Sequence, residues 1–243
     1  MRRFAFLAFV LALLTPGCHR APHPRLHVVV SVFPVYDLVR RIAGPDADVT
    51  LLVPIGTPWP EGWKPPADVA AQAEKANVFV SVGLGLDTWM DAIAAKGPPK
   101  ARTLRLGDRV PTLTAEDGTI EANIWMDPQR ARLLATAIAE ELGRADSSHA
   151  IAFGERASVV DESIAELDKE VEAKVAALPH RSRIQLPASF AYFADRYGLH
   201  ALKPGDPTGS ALFAFDPFGG TGDETSYEQI VRHNTVGLAR LPL

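Results

Sequence analysis

One cysteine, Cys18, is all the thiol this 243-residue chain carries. That excludes an internal disulfide and any zinc cluster built on cysteines. Charge of one sign never accumulates: no five like charges run together, and 25 basic against 29 acidic residues leave a formal charge of −4. Nothing here offers an electrostatic surface to nucleic acid. No apolar run approaches the roughly 20 residues that a bilayer-spanning helix needs, which excludes a multi-pass membrane protein. Catalytic signatures are missing as well. There is no Gly-x-Ser-x-Gly, no Gly-x-Gly-x-x-Gly after a strand and no His-Glu-x-x-His, and Gly219-Gly220-Thr221-Gly222 lacks the lysine of a phosphate loop. The expectation from these absences is that the chain is not an enzyme. What is present is ordinary globular chain, 47% hydrophobic and 22% charged with a mean hydropathy of +0.02, long enough for one large domain or two small ones.

The N-terminus carries an address. Arg2 and Arg3 precede an unbroken apolar run from Phe4 to Leu14, the positive-then-apolar order of a secretory signal, too short to span a bilayer. The run ends Leu14-Thr15-Pro16-Gly17-Cys18, with the lone cysteine directly after a small residue, as in a bacterial lipoprotein cleavage box. Residues 1–17 read as a signal peptide and Cys18 as the lipid acceptor, which predicts an extracytoplasmic or periplasmic protein anchored to the membrane by lipid. Plain secretion with a free thiol is the alternative. Loss of Arg2 and Arg3 with the leader takes the formal charge from −4 to −6. Residues 18–26 form a linker, and His19, His23 and His27 are either part of a flexible metal-collecting tail or plain linker residues.

From His27 the pattern alternates. Residues 27–33 read as a buried strand, 35–43 as a helix stopped by Gly44-Pro45, 48–53 as a second strand, 67–76 as a helix, 78–82 as a third strand and 89–95 as a helix. Strand–helix alternation predicts a parallel sheet covered on both faces, with ligand sites in loops at the carboxyl ends of the strands. A helix over 131–142 follows, and Asp146-Ser147-Ser148 offers cap oxygens for the next one. Beyond Phe153 the apolar positions Ala157, Val160, Ile164, Leu167, Val171 and Val175 form one stripe, uninterrupted by proline until Pro179. The spacing predicts a single helix from 151 to 177, which at 1.5 Å per residue reaches across two lobes. A coiled-coil dimer is the alternative. Strands at 183–186 and 211–215 and helices at 190–197 and 227–238 complete a small second lobe. The fold class is thus α/β: two small lobes, each a parallel sheet flanked by helices, joined by one long helix. The boundaries are 27–145 for the first lobe, 146–178 for the connecting helix and 179–243 for the second lobe.

These segments, taken together, resemble a family. Val30-Ser31-Val32-Phe33-Pro34, Leu52-Val53-Pro54, Pro65-Pro66-Ala67-Asp68-Val69, Gly83-Leu84-Gly85-Leu86-Asp87-Thr88-Trp89-Met90, Ile124-Trp125-Met126-Asp127-Pro128, residues 190–199 and Asp216-Pro217-Phe218-Gly219-Gly220 stand in the order found in the metal-binding, cluster A-I solute-binding proteins of ABC importers. The resemblance implies two α/β lobes joined by a long helix, a divalent metal ion, zinc or manganese, held between them as cargo, and an ABC permease as partner to a monomeric receptor.

It also implies ligand positions, and here the chain departs from the pattern. The family's set is three histidines, or two histidines and a glutamate, with one aspartate, a nitrogen-rich shell suited to Zn²⁺. Glu61 stands where the first histidine is expected, Asn123 where the second is, and Pro187 where the third ligand is, leaving only Asp216 unchanged. The segment between Leu199 and Phe215 is also short by about a helix, strand and helix, so the second lobe is reduced, and a histidine-rich loop is missing. Two readings follow. Glu61, Asn123 and Asp216 form an oxygen-only site for a hard ion such as Mn²⁺ or Ca²⁺, or the chain is a degenerate member without a tight metal site that serves as a structural or partner-binding lipoprotein. Ordinary alternatives exist for each residue: an exposed loop charge for Glu61, an Asx turn before a strand for Asn123, a turn former ahead of Pro217 for Asp216. Trp59, Trp63 and Trp125 are either framework or the walls of an organic-ligand pocket.

Overall fold

The computed structural model describes residues 25–57, 63–114, 118–179, 181–202, 215–220 and 224–241. The leader, Cys18, His19, His23, Trp59 and Glu61 lie outside that set.

The first elements follow the expected alternation: β1 (Leu26–Val30), α1 (Phe33–Ala43), β2 (Ala47–Leu51), α2 (Ala67–Ala73), β3 (Val78–Ser81), α3 (Trp89–Ala94) and β4 (Arg102–Arg105). The four strands form an all-parallel sheet in the order β2-β1-β3-β4. Period-two side-chain alternation sorts the strand residues onto two faces. Val28, Val30, Val78 and Val80 join one core with Leu38 and Ile42 of α1, while Val29 and Phe79 join a second with Ala73 of α2 and Met90 and Ile93 of α3. Burial on both faces is why β1 and β3 read as continuous apolar runs. The edge strand β4, Arg-Thr-Leu-Arg, carries no such run and is not legible as a strand. His27 lies within β1, its Nε2 3.2 Å from Thr50 Oγ1, so it belongs to the sheet and not to a tail.

Two long helices follow, α4 (Pro128–Ala145) and α5 (Ala150–Ala176). Helix α4 begins where Asp127 accepts the Gln129 N–H at 2.8 Å and Pro128 occupies the first turn, a placement in which proline's missing N–H costs nothing. Helix α5 runs 27 residues, about 40 Å. Its start corrects one expectation. Asp146 spends its side chain on Ser148 N and on His149 Nδ1, closing the α4–α5 turn, and the cap position falls to His149 without a side-chain cap bond. Along α5, Phe153, Ala157, Val160, Ile164, Leu167, Val171 and Val175 are all buried within the chain. That satisfies the stripe internally and leaves nothing for a coiled-coil partner.

The remainder comprises β5 (Gln185–Leu186), α6 (Ala191–Tyr197), β6 (His200–Ala201) and α7 (Tyr227–Leu238). Helix α6 stops at Gly198, whose φ of +62° is the left-handed closure glycine supplies. Strands β5 and β6 form a two-stranded parallel sheet. The partner of β5 is therefore 200–201, and residues 211–214 of the strand expected there lie outside the described residues. Helix α7 packs against both α1 and α5. Fully buried Asp37 on α1 accepts the N–H of Tyr227 at 2.9 Å, and Arg41 of α1 and Ser163 of α5 both bond Glu228. One contiguous hydrophobic core thus extends from Leu26 to Leu238. No helix among the described residues is long and apolar enough to cross a membrane.

Candidate metal site

Asn123 sits at the end of a hairpin. Thr114 and Ile120 form an isolated antiparallel bridge, and the chain then runs through Glu121 and Asn123 into a single 3-10 turn, Ile124–Met126. That turn, not a strand, is what Asn123 precedes. The hairpin is held by Tyr192 of α6, whose hydroxyl donates to Glu121 O at 2.9 Å and accepts from Leu113 N at 3.1 Å. Arg130 lies over the same ring, 4.7 Å from its centroid.

Asn123 is buried, at 6% exposure, and its Oδ1 meets no hydrogen-bond donor. Its Nδ2 donates to Glu121 Oε1 at 2.8 Å, and the backbone N–H groups of Ala122 and Asn123 donate to the same oxygen at 2.9 and 3.1 Å. Burial raises the Glu121 carboxyl above its usual range, and the three N–H bonds only partly offset it.

Asp216 approaches from the other side. Its Oδ1 accepts from Phe218 N at 2.9 Å and Gly219 N at 3.0 Å, closing an Asx turn, while Asn234 of α7 pairs with its backbone through bonds of 2.9 and 2.7 Å. Gly219 and Gly220 follow with φ of +74° and +94°. Any Cβ at Gly220 would overlap Ile55 and Gly56, so the Asp216 loop lies directly on the turn that follows β2, at the carboxyl end of the sheet.

Aromatic contacts gather these segments. Trp125 is fully buried, donates from Nε1 to Pro217 O at 2.7 Å and packs on Phe218 at 5.4 Å. Phe190, in the 3-10 turn that Pro187 opens, packs on Phe215 at 5.2 Å. The neighbourhoods of 123, 187 and 216 are therefore brought together, with Pro187 contributing no side-chain ligand. Exposed Lys64 stands one residue from Trp63, which packs edge-on to Trp89 at 5.1 Å. Trp63 and Trp125 are both engaged in packing, the framework alternative. Among the described residues no three His, Cys, Asp or Glu side chains converge as a metal-holding group.

Beneath the site runs a charged layer that sequence reasoning missed. Asp168 of α5 accepts from Gln129, Arg196 and Tyr197 Oη at 2.5, 2.6 and 2.9 Å. Asp127 pairs with Arg130. Burial would raise both carboxyls. It prevails for Asp127, whereas at Asp168 the bonds from Arg196, Gln129 and Tyr197 outweigh it and the carboxyl falls below its usual range. No motif announces this layer, because its members come from three helices.

With this geometry established, comparison with known proteins decides the family. The profile of the family described as ZnuA, zinc-uptake complex component A periplasmic, matches residues 28–214. The chain belongs to that family. It is 27% identical over 213 residues to the zinc-binding lipoprotein AdcA of Streptococcus pneumoniae, an alignment covering 79% of this chain and 42% of AdcA. It is 25% identical over 209 residues to the manganese-binding lipoprotein MntA of Halalkalibacterium halodurans, covering 82% of this chain and 69% of MntA. The chain thus spans about two fifths of the AdcA relatives it matches. Among solved structures, the Zn(II)-bound ZnuA-like domain of S. pneumoniae AdcA superposes with a TM-score of 0.74 at 21% identity, covering 90% of this chain and 99% of that one. The Cd-bound periplasmic metal-binding protein of candidatus liberibacter asiaticus gives 0.75 at 15% identity, covering 89% and 99%. At those identities the likeness is one of fold. It agrees with the α/β class and with the long central helix of this ZnuA-family chain.

Proposed function

We propose that this ZnuA-family protein is the extracytoplasmic, lipid-anchored receptor of a metal-ion ABC importer, binding a divalent cation of the zinc or manganese type between its lobes and presenting it to a membrane permease. The observation that carries the reading is the family match over 28–214 together with the 2.7 Å bond from Trp125 to Pro217, which ties the Asn123 segment to the Asp216 loop. Glu61, Asn123 and Asp216 are the proposed ligands. The role is binding and delivery without chemistry on the cargo, in keeping with relatives that are named for the metals they bind.

A second reading is favoured by one specific observation, the proline at 187 where the family's third ligand belongs. In that reading the chain keeps the scaffold without a tight site and acts as a structural or partner-binding lipoprotein. Elemental analysis and calorimetry of the purified lipid-free protein separate the two. Co-purifying metal, or binding of Zn²⁺ or Mn²⁺ at about 10 μM or tighter, near −7 kcal/mol, supports the receptor. Absence of both supports the degenerate form.

A further inference from the structure

We infer that Glu121 joins Asn123 as a cation-facing ligand pair, and that the cargo this pair selects is a hard, oxygen-seeking divalent cation, with no preference for zinc. The inference rests on the receptor reading above and names its cargo class.

The argument begins with the amide of Asn123. A carboxylate can only accept, so the group 2.8 Å from Glu121 Oε1 must be the Nδ2 donor. This fixes the rotamer and forces Oδ1 the other way, where it is buried and meets no donor. Buried amide oxygens are almost always paired, and an orphan calls for a partner. The second demand is that of Glu121. Its Oε1 is saturated by three N–H groups, its Oε2 accepts no hydrogen bond from the described residues, and no Lys, Arg or His among them pairs with its charge. An acceptor without a donor and a carboxylate without a counter-ion belong to one hydrogen-bonded pair, and a bound cation satisfies both.

The chemistry of the donors names the class of that cation. A carboxylate and an amide oxygen are hard ligands, suited to Mn²⁺, Ca²⁺ or Mg²⁺. Among the described residues imidazole is not at hand: His27 bonds Thr50, His149 bonds Asp146, His233 pairs with Glu224, and His200 stands exposed on β6. The position is also well supported, since Tyr192 and the Thr114–Ile120 bridge hold the Glu121 backbone in place.

The test titrates the lipid-free protein with Mn²⁺ and with Zn²⁺ by calorimetry. Wild type is expected to bind the two within about tenfold of each other, because an oxygen set gives zinc none of the advantage that imidazoles confer. Glu121→Gln should weaken Mn²⁺ binding at least about tenfold, roughly 1.4 kcal/mol, while leaving the metal-free melting temperature unchanged, since the glutamine amide oxygen still accepts the N–H groups. Asn123→Asp places two carboxylates together and should lower the metal-free melting temperature, with Mn²⁺ restoring it. A preference for zinc beyond tenfold, an unchanged Mn²⁺ affinity in Glu121→Gln, or no rescue of Asn123→Asp overturns the inference while leaving the receptor reading intact. Absence of binding of either metal to wild type overturns both.

Discussion

Polar contacts from Gln129, Arg196 and Tyr197 converge on Asp168. Removing its charge leaves Arg196 facing a neutral amide, and breaking a buried pair from one side costs roughly 3–5 kcal/mol. Arg196 keeps 28% of its side chain exposed, so Asp168→Asn should lie at the low end, about 3 kcal/mol, in urea denaturation. The same pair sets an acid limit. Because the folded carboxyl titrates below the unfolded value near 3.9, its stabilisation is complete above that value and disappears as pH falls through the folded pKa. Stability measured between about pH 5 and pH 2 should fall in wild type and fall less in Asp168→Asn. His149 behaves in the opposite sense. Its bond to Asp146 raises the imidazole above the usual value of about 6.5. Its contribution is therefore present below that pH and is lost as pH rises through the folded pKa. An NMR titration should find the His149 midpoint above the ordinary imidazole value of about 6.5; a lower midpoint would mean that the Asp146 contact does not persist in solution. None of these couplings was legible in the sequence, for Asp168 occupies one position of a helix with no spacing to tie it to Arg196 or Gln129. Glu121 escaped for another reason. Family spacing directs attention to position 123, and only the hydrogen bonds reveal its neighbour two residues earlier.

At the level of elements, legibility followed burial. Helix α5 is read from its stripe to within one residue at each end and α7 exactly where its periodicity begins and ends, because both bury a continuous apolar face. Strand β4, with only Leu104 buried, and the two-residue strand β6 give no comparable signal, whereas β5 falls inside the strand read at 183–186. Leu167 is fully buried in α5, and Leu167→Ala should cost about 2–5 kcal/mol in chemical denaturation; a cost below about 0.5 kcal/mol would contradict its burial. The hairpin that carries Glu121 is tied to α6 by the Tyr192 hydroxyl. Tyr192→Phe keeps the ring under Arg130 but leaves Leu113 N–H and Glu121 C=O unpaired, a loss of about 1–3 kcal/mol. Amide exchange at Leu113 should quicken accordingly.

On the scale of the whole molecule, the α/β class and the order of elements are visible in the sequence because strand and helix periods differ, whereas the assembly of distant loops into a site is not. Aromatic pairs such as Trp125–Phe218 and Phe190–Phe215 make that assembly. Ligand restoration probes it directly. If the loops carrying 61, 123, 187 and 216 share one cleft, Glu61→His, Asn123→His and Pro187→His combined with native Asp216 should create a His₃Asp site and raise zinc affinity by several orders of magnitude over wild type. No gain would refute the positional assignment. Asp37 and Tyr227, 190 residues apart and bonded in the interior, have a bearing on biogenesis. Helix α1 receives this polar partner from α7, so the core between them closes only after residue 227 has been made. Such a distant pairing delays folding through the entropy of loop closure, and the interior between α1 and α7 stays open until α7 arrives to supply its N–H.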